Sequence, residues 1–333
     1  MDEVKSEKSA PKGHSSFLDI LIGRPEVSVL VPMVVLISIA QAVNRSFLSW
    51  DNLTSIFRSN SFVAIIAIAM TFVFIALELD LSVGSVVALT SMIAGLLLVR
   101  GVPPVIAVIA GVLSGTVCGL VTGYVIVHFN IPSMIGSLGM MFILRGVVFV
   151  VTEGQPLYPM PDGFERMGLG SFLNFPIPAL VFVVLAVIFG FILKNTIYGR
   201  TIYAIGGNRE TAWLCGINVN LVRMSTYWLT GTFSGIAGVM LTSRLSSAQP
   251  SAGTGWEMLV IASVIVGGTS MFGGVGTILG TVLGSILVGM LTNMLVMMKV
   301  SVYWQNIAIG IIILLSVIFD QYRKKLSAAR LRG

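Results

Sequence analysis

Between residues 27 and 319, long apolar runs alternate with short polar breaks, and no other feature of the sequence restricts its possible folds so severely. The runs approach the roughly 17–25 residues that a helix needs to cross the hydrocarbon core of a bilayer. Ten can be marked, at 27–43, 60–77, 83–99, 104–127, 133–152, 177–193, 223–243, 257–271, 275–297 and 303–319. Hydrophobic residues make up 56% of the 333 and charged ones only 10%, against about 25% charged in a soluble domain. A transmembrane β-barrel would show weaker, alternating segments of about ten residues, which these unbroken Val/Ile/Leu/Gly runs do not resemble. The expected fold is all-α: a polytopic membrane helical bundle of about ten transmembrane helices, spanning 27–320 between tails at 1–26 and 321–333.

An even number of spans puts both ends on one side, and Lys and Arg are retained on the cytoplasmic side. With both ends inside, inner segments carry thirteen Lys and Arg, among them Lys194, Arg200, Arg209 and Arg223. Outer segments carry six, namely Arg45, Arg58, Arg100, Arg166, Arg244 and Lys299, and Arg145 lies within the fifth run. Both termini are therefore expected in the cytoplasm, the first as a disordered tail, since it lacks the apolar core and cleavage site of a secretory signal. The net charge of +6 largely expresses this topology. The basic residues are dispersed over tails and loops without an aromatic-basic face, so no nucleic-acid partner is expected. One long outer loop, 153–176, and one long inner loop, 194–222, remain.

Catalytic chemistry has little to work with. Cys118 and Cys215, with His14 and His128, are too few and too dispersed for a disulfide framework or a zinc site. The glycine-rich stretch Gly267-Gly268-Thr269-Ser270-Met271-Phe272-Gly273-Gly274-Val275-Gly276 lacks the Lys-Ser/Thr ending of a phosphate-binding loop and reads as a tight inner turn. No Gly-x-Ser-x-Gly elbow is present, so neither an enzyme nor a bound cofactor is expected.

Polar groups inside the apolar pattern are the better candidates. Glu78 and Asp80 interrupt two runs, at about 2.5–3.5 kcal/mol for a centrally placed Asp on the insertion scale. Two readings stand open: Asp80 or Ser82 caps the third helix, or Glu78, Asp80 and Ser82 line a polar path, where carboxylates accept hydrogen bonds from a polyhydroxylated solute. Arg145 is too deep in its run to snorkel and needs a partner, either for packing or for gating and substrate contact. Gly111, Gly115, Gly119 and Gly123 form one smooth face of the fourth run, and Gly276, Gly280 and Gly284 another on the ninth. Such faces admit a neighbouring helix closely. The two series would correspond if spans two to five and seven to ten were related halves, as in many transporters.

The inner loop carries Gly199-Arg200, Ala204, Gly206-Gly207-Asn208-Arg209-Glu210, Ala212 and Gly216-Ile217-Asn218-Val219. Here the chain resembles the permeases of ribose-type ABC importers. Resemblance continues through Arg244-Leu245-Ser246-Ser247-Ala248-Gln249-Pro250, Gly253-Thr254-Gly255-Trp256-Glu257, the Gly-Gly-Thr-Ser and Gly-Gly-x-Gly turns, Asp80-Leu81-Ser82-Val83-Gly84-Ser85 and Arg145-Gly146. It departs at Leu77-Glu78-Leu79, where the family commonly has Gly-Gly-Ile, and after Glu257, where an expected Asp is absent.

The resemblance implies a type II-like ABC importer permease of the bacterial inner membrane, carrying a monosaccharide or related solute along a pathway at a permease dimer interface. It implies a cytoplasmic ATPase that holds ATP and Mg, an extracytoplasmic substrate-binding protein, and a second permease copy or paralogue. Gly199, Arg200, Ala204, Gly206, Gly207, Asn208, Arg209, Glu210, Ala212 and Gly216 would couple to the ATPase, and Glu257 would join Glu78, Asp80, Ser82 and Arg145 along the path. The rival is a proton- or sodium-coupled secondary carrier, in which Glu78, Asp80 and Arg145 would form a relay.

Overall fold

The computed structural model describes residues 25–330, so most of the first predicted tail and residues 331–333 lie outside it. The elements in chain order are α1 (Pro25–Val43), α2 (Trp50–Ile75), α3 (Val83–Val99), α4 (Pro104–His128), α5 (Ser133–Thr152), α6 (Arg166–Leu169), the two-residue strands β1 (Ser171–Phe172) and β2 (Phe175–Pro176), α7 (Ile177–Asn195), α8 (Ile197–Gly207), α9 (Arg209–Leu214), α10 (Val219–Leu245), α11 (Trp256–Val266), α12 (Ile278–Met297) and α13 (Val302–Arg330). Each of the ten apolar runs falls on a separate helix. Among the described residues, α2, α4, α5, α7 and α12 are long and apolar enough to cross a membrane, and α1, α3, α11 and α13 contain shorter apolar helices.

The remaining apolar run lies on α10, which carries many polar groups and is hidden by its neighbours. Arg223, Thr226, Tyr227, Thr230, Ser234, Thr242 and Ser243 are all buried on it, packed among α2, α3 and α4. A helix that carries so many polar groups is stable in lipid only where other helices shield them. The opposite extreme is α2, buried on every side from Ser61 to Ile75, as expected of a helix apolar all round at a bundle centre.

Some boundaries differ from expectation. Helix α2 begins at Trp50, ten residues before its apolar run, because the Ser49 side chain accepts a hydrogen bond from the Asn52 N–H and caps it. Helix α11 ends at Val266 rather than 271, where Gly268 takes a left-handed backbone with φ 84°. Helix α13 runs on to Arg330 through much of the predicted second tail.

Both glycine faces serve packing inside the chain. A side chain on Gly115 would meet the Gly231 carbonyl at 2.5 Å, and Gly119 lies equally close to α10. Gly280 and Gly284 lie against Gly267 and Ser263 at the end of α11. The fourth helix of the bundle thus packs on the seventh, and the glycine face of the ninth on the eighth.

Candidate functional site

Two breaks in the helical pattern meet inside the bundle. After α2 the chain turns at Leu77, whose φ of 61° is left-handed, and residues 78–82 climb beside α10 to the start of α3. After α10 it turns at Ser246, φ 47°, and descends without helix to α11. Ala248 bridges to Leu157 and touches Gly95, whereas Gly253 touches Gly84 and Val87. Eleven residues of α3 separate those contacts, about 16 Å at 1.5 Å per residue. The starts of α3 and α11 consequently lie together, with Glu257 Oε2 only 2.6 Å from where a Gly84 side chain would begin. Non-helical backbone at such depth is tolerated only when protein covers it or it lines a cavity.

Side chains hold both stretches. Asp80 Oδ1 accepts hydrogen bonds from the Ser82 N–H at 2.9 Å and the Ser82 hydroxyl at 2.6 Å, and its Oδ2 accepts one from Thr230 on α10 at 2.6 Å. Asp80 thus closes the turn before α3, whereas the Ser82 side chain makes no cap hydrogen bond to that helix. Arg145 Nη1 donates to the carbonyls of Pro250 at 3.1 Å and Ala252 at 2.8 Å, with Glu257 as its nearby carboxylate. The partner its depth required is the descending backbone.

Glu78 faces α9 and α10. Its Oε1 accepts from Arg223 Nε at 2.5 Å and Arg209 Nη2 at 2.7 Å, and its Oε2 accepts from the Tyr227 hydroxyl at 2.9 Å. The Glu78 and Arg223 side chains are 2% and 6% exposed, so the pair is shut off from solvent, while Arg209 at 39% reaches it from the surface.

The inner loop folds as a helical hairpin. Thr196 caps α8 by accepting from the Gly199 N–H, and Asn208 caps α9 by accepting from the Thr211 N–H. The Tyr203 hydroxyl donates to the Gly276 carbonyl at 2.6 Å. Tyr198, whose phenol burial pushes upward against the opposing effect of its 2.6 Å contact with Ser225, fixes α8 to α10. Gly206 sits against the Ile75 carbonyl and the Gly274 N–H, where any side chain would collide with backbone.

The ten predicted coupling residues separate accordingly. Gly199, Gly206 and Ala212 are buried, Arg209 is half-buried in the Glu78 cluster, and Arg200, Ala204, Gly207, Asn208, Glu210 and Gly216 face outward. Sequence reasoning missed Trp213 and Leu214, which are 65% and 70% exposed on α9. The signal available for them was two large apolar residues inside a polar loop. It also missed Arg223 and Tyr227 as partners of Glu78, because they lie 145 and 149 residues away.

Glycine-faced helices in a bundle, two helix breaks meeting at its centre and an ordered hairpin clamped to one end define a multi-pass membrane permease. The chain belongs to the family described as the permease component of the branched-chain amino acid transport system, which matches residues 52–317. It is 39% identical to the ribose import permease protein RbsC of Haemophilus influenzae over 296 residues, 88% of this chain and 92% of the relative. Identity to RbsC of Bacillus subtilis is 40%, over 87% of this chain and 90% of that one. The L-arabinose ABC transporter permease protein AraH of Azospirillum brasilense is 36% identical, over 91% of this chain and 89% of its own length. No solved structure matches.

Proposed function

We propose that this chain is the transmembrane permease subunit of an ATP-driven ABC importer for a monosaccharide or related small polyhydroxylated solute, with its pathway at the interface of two permease chains. The observation that carries this is the α8–α9 hairpin, which presents Arg200, Glu210, Trp213 and Leu214 to the outside while Glu78 and Gly206 tie it to the bundle. An exposed Trp beside charged residues is what a protein-docking patch requires. The docked partner is a cytoplasmic ATPase, which binds ATP and Mg; this chain hydrolyses nothing. A substrate-binding protein delivers solute at the opposite face, and the second permease is a copy or a paralogue. Relatives named for ribose and L-arabinose support a sugar as cargo. The Lys/Arg distribution supports the hairpin and both termini being on the cytoplasmic side of a bacterial inner membrane.

Motion would pass from the hairpin through Arg209 to Glu78, along residues 78–82 to Asp80 and Thr230, and so to the start of α3 against Gly253. Packed and hydrogen-bonded elements of this kind shift as units in alternating access.

Purification of the tagged protein from native membranes tests the proposal. A co-purifying ATPase is expected, and Trp213→Glu with Glu210→Lys is expected to release it. Both positions are exposed, so the fold is spared. If no ATPase accompanies the wild type and uptake follows a proton or sodium gradient instead, the proposal fails.

A further inference from the structure

Two half-buried arginines meet at the end of the bundle away from the α8–α9 hairpin. Arg244 stands about 32 Å along α10 from Arg223, at 1.5 Å per residue, and Arg58 on α2 lies close enough to repel it. Both ion pairs among the described residues belong to Glu78, so neither arginine has a carboxylate. Arg244 is held in place without being neutralised. Its Nη2 donates to Ser59 Oγ at 3.0 Å, and its Cζ lies 5.5 Å from the centre of the Phe62 ring, which stacks on Trp256. The Arg58 Nε–H is buried and has no acceptor among the described residues. A buried donor left unpaired beside a like charge is unfavourable until an anion joins it.

The long outer loop is clamped down beside this pair. Gly168 on α6 sits against the backbone of Arg244, where any side chain would collide, and Phe175 on β2 packs on Phe57 with ring centres 5.7 Å apart. Between the strands, Leu173 and Asn174 take left-handed backbone with φ 51° and 63°. Asn suits such a turn, whereas a leucine there is strained. Leu173 is 86% exposed and Phe172 63%, so the fold gains little from either side chain. Aromatic residues and arginine are the types enriched where proteins meet.

A carboxylate is the missing member of the arginine cluster. A small acidic solute would join the arginines and leave Phe172 and Leu173 unused, whereas a soluble protein reaches both. Lipid headgroups surround the perimeter, but residues 237–243 are all buried, so α10 delivers Arg244 inside the ring of helices. Resting on the permease reading above, we propose that Arg58, Arg244, Phe172 and Leu173 form the docking surface for the extracytoplasmic substrate-binding protein, and that an acidic side chain of that protein completes the arginine pair. Opposite charges of this kind steer the encounter and fix its register.

The experiment places the complete transporter in nanodiscs and first selects the purified extracytoplasmic protein that raises ATP hydrolysis by the wild type. Binding of that protein is then measured for Arg58→Gln, Arg58→Lys and Leu173→Asn. Arg58 donates no hydrogen bond among the described residues, and Asn tolerates the left-handed turn, so these variants should unfold near the wild-type temperature. Arg58→Gln is expected to weaken binding about tenfold, the loss of a charge-assisted hydrogen bond, and Arg58→Lys to recover part of it. Leu173→Asn is expected to weaken binding about three- to fivefold. Raising salt from about 0.1 M to about 1 M, which shortens the Debye length from about 10 Å to about 3 Å, should weaken the wild type more than Arg58→Gln. Wild-type affinity in both Arg58→Gln and Leu173→Asn overturns the docking assignment alone. Unchanged affinity in Arg58→Gln, together with loss of the second permease or of binding to anionic-lipid vesicles, also overturns it and gives the arginines to that occupant. If no extracytoplasmic protein raises ATP hydrolysis by the wild type, or the chain brings down no ATPase, the permease reading falls and the docking surface with it.

Discussion

Replacing Glu78 by Gln keeps the shape of the side chain and removes its charge, leaving Arg223 buried without a carboxylate. Removing one partner of a buried ion pair costs about 3–5 kcal/mol, because the remaining charge is left without compensation. Arg223 is 6% exposed and its Nε lies 2.5 Å from Glu78, so the full cost applies there. Arg209 is 39% exposed and can turn to solvent, so Arg209→Gln should cost only the 0.2–1 kcal/mol or about that typical of exposed pairs. At roughly 2 °C per kcal/mol for a chain of this size, Glu78→Gln should lower the midpoint of thermal unfolding by about 6–10 °C and Arg209→Gln by no more than about 2 °C. Thermal unfolding of the purified protein in mild detergent, with Arg223→Gln alone and combined with Glu78→Gln, completes the double-mutant cycle. The coupling between Glu78 and Arg223 should exceed about 1.5 kcal/mol, within the range for residues in direct contact. Equal losses for Arg209→Gln and Arg223→Gln, or a shift below about 2 °C for Glu78→Gln, would refute the reasoning.

Leu77→Gly should not destabilise the protein despite the lost leucine. Its φ is 61° and the side chain is 45% exposed, so relief of about 1–2 kcal/mol of left-handed strain offsets the added chain entropy of about 0.5–1 kcal/mol; a loss above about 1 kcal/mol by thermal unfolding would contradict this. Arg145→Met should cost about 3–6 kcal/mol, since two carbonyls of the descending stretch lose a charged donor worth about 1.5–3 kcal/mol per bond. Arg145→Lys should recover part of that loss, and unfolding of the pair of variants side by side checks it.

Much of the architecture could be read directly. Each of the ten apolar runs became a separate helix, because a backbone in hydrocarbon must satisfy its own hydrogen bonds and so declares its spans by length and apolarity. The run at 257–271 was overestimated because Gly267-Gly268 scores as apolar while ending the helix. Among site residues, Glu78, Asp80 and Arg145 stood out as charges in apolar surroundings, but their roles did not. Glu78 reaches Arg223, and Arg145 the carbonyls of Pro250 and Ala252.

By itself the sequence determined that this protein is a helical membrane bundle and the family to which its spaced motifs belong. These follow from local properties: run length, charge along the chain and motifs within a few residues of one another. Tertiary structure alone decided which polar groups meet. It joined Glu78 to residues 131, 145 and 149 positions away and laid residues 246–255 along α3. The physical reason is that a helix in lipid is apolar on its outward face as well as its packed one. Hydrophobic pattern therefore marks where a helix is, and only close approach between helices marks what each of its faces touches.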